Sequence, residues 1–161
     1  MLWLLILVGT VAGATVHCVS RRERGSVAEV YLVYLLVGYY GIAMLLAALV
    51  HLTNAGGIAQ HKGWPSSEPI QALYAFALIG MAVSSILSAW LRGTYLLGPT
   101  LFGSILLLGG SFVHGKEVLQ SGAFAWAKDG LEFLFDLVVP LAVLSLAWTY
   151  QRGERRRRTR S

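Results

Sequence analysis

One cysteine, Cys18, is all that the chain carries, so it can form no internal disulfide and no cysteine-based metal motif. Charge is also scarce: charged residues make up 13% of the 161, against 56% hydrophobic. A soluble domain of this length shows polar faces between its apolar stripes, and none are evident here. There is no nucleophile motif, no phosphate-binding glycine loop and no nucleotide fingerprint, so nothing specific supports catalysis. Internal repeats are absent too, and the only biased stretch is a basic C-terminus. What remains is long, nearly continuous apolar runs, which is what lipid-facing helices require.

These runs divide into five spans near the ~20 residues that cross a bilayer as a helix. They cover roughly 2–20, 27–52, 70–91, 95–115 and 130–150. The expected fold is therefore all-α: a polytopic membrane protein with a bundle of five transmembrane helices. Residues 1–150 form its single domain, and 151–161 a basic cytoplasmic tail. The first span opens MLWLLILVG with no basic residue before it and RRER after it. A cleavable signal peptide has the opposite charge order, although AGA at 12–14 resembles a cleavage site. The span reads as a retained helix with its N-terminus outside.

Basic residues orient the whole scheme. Arg21, Arg22, Arg24, Arg92, Arg152 and the five arginines of RRRRTR at 155–160 fall on one side, and Lys62, Lys116 and Lys128 on the other. That bias places the C-terminus in the cytoplasm of a multi-pass protein of the cell (inner) membrane. The arginine run is expected to sit against anionic lipid headgroups. No reading domain accompanies it, so nucleic acid is not an expected partner. Ser26 followed by Glu29 is a capping-box pattern at the start of the second helix. Glu68-Pro69 suits the start of the third, since proline fits the first helical turn. Trp3, Trp64 and Trp126 map to the outer interface, and Trp90, Tyr95, Trp148 and Tyr150 to the inner one.

Small residues should bring the helices together. Thr100, Gly103, Ser104, Gly110, Ser111 and His114 share about a third of the fourth helix at 3.6 residues per turn. Ala77, Gly80, Ser84 and Ser88 repeat at matching spacing in the third. Gly9 and Gly13 make a G-x-x-x-G pair in the first, a pattern that also packs helices within one chain.

The outer side collects the functional candidates. Five of the eight acidic residues lie there, as do His51, His61 and His114. Glu132 and Asp136 share a helix face, and Asp136 lies ~10 Å along the fifth helix if that helix starts near Asp129. Pro140 has no N–H for the Asp136 carbonyl, so a kink is expected there, with a carboxyl group and a freed carbonyl at one height. An ionisable residue inside a span is costly and marks a functional candidate. The plain alternative is that Asp136 is protonated against a serine, or paired with His114⁺, and merely fastens helices.

Three chemistries suit the set His51, Glu68, His114, Glu132 and Asp136. Histidine and carboxylate ligands fit a transition metal, and His114 with Glu117 has H-x-x-E spacing. His51 and His114 end two helices on the same side and could ligate a haem, though axial histidines usually need a deeper slot. Asp136 with His114 could also form part of a proton or cation path.

The stretch GWPSSEPIQALYAFALIG at 63–80 resembles an uncharacterised family of small bacterial and archaeal membrane proteins with a GWPSSPFQ-type signature. Gly63, Trp64, Pro65, Ser66, Ser67 and Gln71 match that element. His114 matches a helix-closing histidine, and Asp136 with Pro140 an Asp-x-x-x-Pro step. Glu68-Pro69 departs from the family's Pro-Phe, and Ala72-Leu73 lack charges found there. The resemblance implies that the outer loop, His114 and Asp136 form one recurring constellation, and it supplies no reaction. Trp64-Pro65 makes a stiff structural loop, and Ser66 and Ser67 are expected to cap the third helix or face His114.

The leading expectation is a non-enzymatic membrane protein whose outer pocket binds a proton or a transition metal. Asp136 is its central group and His114 its partner, with His51, Glu68 and Glu132 contributing. Two rival readings stand beside it: an accessory subunit that contacts other membrane chains, and a small haem or metal oxidoreductase.

Overall fold

The computed structural model describes residues 2–20, 26–62, 68–121 and 130–159, and no strand occurs among them. Five stretches are long and apolar enough to cross a membrane: Leu2–Ser20, Val27–Thr53, Pro69–Leu87, Gly93–Val113 and Phe133–Arg157. The expected all-α bundle is therefore present, with span ends within four residues of those read from hydropathy except the last, which runs to Arg157 where 150 was expected.

Helix α1 (Leu2–Ser20) is followed by α2 (Val27–Leu35), which opens on Ser26. Ser26 is extended, with φ −69° and ψ 127°, as an N-cap should be, but its hydroxyl makes no cap bond. The Glu29 N–H that a capping box needs already donates to the Ser26 carbonyl at 2.9 Å. Past Leu35 the helix widens into a π segment (Leu36–Ala43) before resuming as α3 (Met44–Thr53). Asn54 leaves the helical region, with φ −140° and ψ 43°, and ends α3.

Gly56, Gly57 and His61 fall in a short helix, α4 (Ala55–Lys62). A Cβ at Gly57 would collide with the Asn54 side chain, so glycine lets that side chain fold over the first turn. Helix α5 (Glu68–Leu87) carries Pro69 in its first turn, as read from the sequence. A turn then reverses the chain at Gly93, whose φ of +70° is left-handed and favours glycine. A 3₁₀ turn (Gly93–Leu96) leads into α6 (Leu97–Ser121). The last helix, α7 (Leu131–Arg158), runs unbroken through Pro140 and through the arginine run. Residues 151–158 of the basic stretch continue this helix.

Helix α2 and the π segment form the centre, touching α1, α5 and α7, and the π segment also touches α6. Leu32, Leu36 and Tyr40 recur every four residues on this inner face, with Ala43, Met44 and Ala48 continuing it. By contrast α1 lies at the edge. Leu5, Val8, Val16 and Val19 are exposed, and Gly9 has nothing near its missing side chain, whereas Gly13 lies against the Tyr34 ring. Trp90 and Trp148 point outward, and Arg152 stacks over Trp148 at 4.5 Å. Tyr150, expected at an interface, is buried in the core.

Candidate functional site

Pro140 and Asp136 sit one turn apart on α7, where α7 packs along α6. Pro140 is fully buried and Asp136 half-buried. Glycine at position 110 of α6 admits the carboxyl group: a Cβ there would lie 3.0 Å from Asp136 Oδ2. One residue further, the Ser111 hydroxyl donates to the Phe133 carbonyl of α7 at 3.5 Å, a long bond that fastens the same seam. Helix α6 therefore meets α7 through small residues, as its sequence stripe implies, and the carboxylate sits inside that seam.

Deeper in the bundle lies a pair that the sequence reading passed over. The Tyr40 and Ser104 hydroxyls bond to each other at 3.0 Å, wholly buried, between the π segment and α6. Tyr40 reaches α6 because Gly103 has no side chain: a Cβ there would run into the Tyr40 ring and come within 3.1 Å of Met81 Sδ. The available signal was Gly38-Tyr39-Tyr40-Gly41 in mid-span, where a phenol needs a partner and glycines permit close approach.

His51 occupies a different place, between α3 and α5. Its Nδ1 lies 2.6 Å from Gln71 Oε1, and its ring stands edge-on to Tyr74 at 4.9 Å. An amide oxygen only accepts, so Nδ1 is the donor in this bond. Gln71, matched above only as part of a signature, thus has a specific job: it orients His51. At the opposite end His17 Nδ1 meets the Tyr34 hydroxyl at 3.1 Å and fastens α1 to α2.

Of the five candidate ligands, then, His51 sits in the α3–α5 seam and Asp136 in the α6–α7 seam. The side chains of Glu68, His114 and Glu132 lie outside the described residues, as does the whole loop Trp64, Pro65, Ser66 and Ser67. Among the described residues no three of the histidine, cysteine, aspartate and glutamate side chains converge.

Helix α7 is continuous through Pro140, with helical residues on both sides of it. The chemistry expected of the proline still holds, since it has no N–H to give the Asp136 carbonyl. The α5 face that meets α6 also differs from the one read above. Met81, against Gly103 of α6, and Ser85 join Ser88 among its buried residues, whereas Gly80 is open and Ser84 bonds back to the Met81 carbonyl at 2.9 Å.

Residues 1–156 match the family of unknown function DUF6790. No curated protein and no solved structure matches the chain.

Proposed function

Since the chain belongs to DUF6790, a family whose name carries no activity, we propose a function from the seam itself: this membrane protein binds a cation, a proton or a transition metal, at Asp136. The observation that carries this reading is a carboxyl group within an apolar span, directed at the Gly110 gap between α6 and α7. Such a group is retained against its insertion cost when it has a partner or a task. Its backbone carbonyl, denied a donor by Pro140, adds a second oxygen at the same height. His114 closes the same face of α6 by register, one turn beyond Gly110, and Glu132 precedes Asp136 by one turn of α7. His51 lies apart from this site, in the α3–α5 seam with Gln71.

On the basic-residue bias, this site faces outward, with the N-terminus outside and the arginine-rich end of α7 in the cytoplasm beside anionic headgroups.

Detergent-purified full-length protein tests the reading. Equilibrium dialysis against Zn²⁺ and Mn²⁺ would be run beside infrared difference spectra of carboxyl protonation, on wild type, Asp136→Asn and His114→Ala. Loss in Asp136→Asn of one metal equivalent, or of one protonating carboxyl band, is the expected result. The reading fails if Asp136→Asn folds and takes up the same metals and the same protons as wild type.

A further inference from the structure

Three buried hydroxyls, Ser85, Ser88 and Thr100, have no hydrogen-bond partner among the described residues. All three are essentially inaccessible, at 0%, 0% and 1% exposure. That is unusual, because a serine or threonine in a helix can bond the carbonyl one turn back. Thr10, Thr15, Ser20 and Ser145 all do so in this chain. Ordinary helix packing therefore leaves three polar groups unexplained, and they are not scattered.

Met81, Ser85 and Ser88 lie on one face of α5 and its closing turn, at spacings of four and three. That face meets α6, because Met81 Sδ lies against Gly103. Thr100 and Ser104 lie one turn apart on the α6 face that carries Gly103. The two helices run in opposite directions, so one turn from the Met81–Gly103 contact brings Ser85 and Thr100 to the same level. Ser88 lies one step further, where its carbonyl accepts Arg92 Nη1 at 2.8 Å near the end of the bundle. In the other direction lies the Tyr40–Ser104 pair, and beyond it Asp136 at the level of Gly110.

We propose that the cation of Asp136 is a proton, and that Ser88, Ser85, Thr100, Ser104 and Tyr40 form a hydroxyl line carrying it between Asp136 and the Arg92 end of the bundle. This rests on the reading of Asp136 as a cation site and names the cation. The donors favour it. Between Asp136 and Arg92 the line offers only neutral hydroxyl oxygens, each able to accept one hydrogen bond and donate another. A transition metal would seek imidazole, thiolate or carboxylate along its way.

Each step balances. A proton adds to a hydroxyl oxygen, the proton already there leaves for the next acceptor, and no heavy-atom bond changes. Asp136 alternates between carboxylate and carboxylic acid, and one positive charge crosses per passage. Only Tyr40 and Ser104 are within direct reach, at 3.0 Å. A step of one helical turn spans ~6 Å, which one bridging water covers, and the stretch from Ser104 to Gly110 spans ~9 Å and needs more than one. The unpartnered hydroxyls supply the contacts that such waters require.

The experiment uses purified full-length protein in phosphatidylcholine–phosphatidylglycerol vesicles that hold a pH-sensitive dye, with a potassium gradient and valinomycin setting the potential. Wild type should show a voltage-driven pH change. Asp136→Asn should abolish it, and Thr100→Val and Tyr40→Phe should each slow it roughly tenfold or more, the effect of one lost hydrogen-bonded step. Thr100→Ser should retain it. Ser145→Ala should match wild type, because that exposed hydroxyl bonds only its own helix carbonyls.

Thr100→Val should also melt no earlier than wild type, because it replaces an unpartnered hydroxyl with a methyl, which separates lost conduction from lost folding. Should it misfold, Ser85→Ala takes its place in the same assay. Wild-type vesicles without flux, or full flux in a folded variant lacking the Thr100 or Ser85 hydroxyl, would overturn the proposal. If Asp136 still took up Zn²⁺, Mn²⁺ or a proton in detergent, the cation reading would survive and the hydroxyl line alone would fall.

Discussion

At Gly103 the missing side chain is what lets the Tyr40 ring lie against α6, with Met81 on the other flank. Both neighbours are wholly buried, so neither can move away into lipid. Gly103→Ala is therefore expected to lower stability by about 1–3 kcal/mol, the usual penalty for overpacking a well-filled core. Gly109→Ala, six positions from the tight contact and with open space around it, should change stability little and serves as the control. Thermal unfolding of the two variants in one detergent decides the point. Equal melting temperatures would mean that the Tyr40 ring swings aside freely. The Tyr40–Ser104 bond itself should add little: hydrogen bonds between membrane helices average ~0.6 kcal/mol. The value of that pair lies in where it holds two hydroxyls.

Among the elements, α1 is the least secured, and its attachment can be located. It packs on α2 and the π segment, through Thr10 over Gly38, Gly13 under the Tyr34 ring and Thr15 bonded to Tyr31 at 2.8 Å. A Cβ at Gly38 would run into the Thr10 side chain, so Gly38→Val should push α1 away from the bundle. Most of α1 already faces outward, so the other four spans should stay assembled. Cys18, the single cysteine, lies half-buried near the end of α1 and reports the change without further labels. Maleimide should modify it severalfold faster in Gly38→Val than in wild type, with the helical circular dichroism retained. An unchanged labelling rate would show that the Thr10 contact does not hold α1.

On the scale of the whole molecule, the arginine bias and the length of α7 make a joint prediction. A fluorescent protein fused after Ser161 should fold and fluoresce, and one fused before Met1 should not, because the proposed orientation puts the former in the cytoplasm and the latter outside. Fluorescence from the N-terminal fusion alone would invert the scheme and turn the Asp136 seam inward. The bundle also assigns separate places to its polar groups. His51 with Gln71 belongs to the α3–α5 seam, whereas Asp136 belongs to α6–α7.

The amino-acid order by itself determined the class, the number of spans and their approximate limits, because burial in lipid demands long apolar helices whatever their partners. It also marked Asp136, since a carboxylate in such a run stands out in any arrangement. Tertiary structure decided the rest. A π segment and Gly103 brought Tyr40 to Ser104, and the register of α5 put Ser85 in the seam where spacing alone suggested Ser84. Apolar periodicity cannot resolve a one-residue shift between helix faces when every face is apolar enough for lipid. Which hydroxyls line the seam therefore depends on where the helices touch.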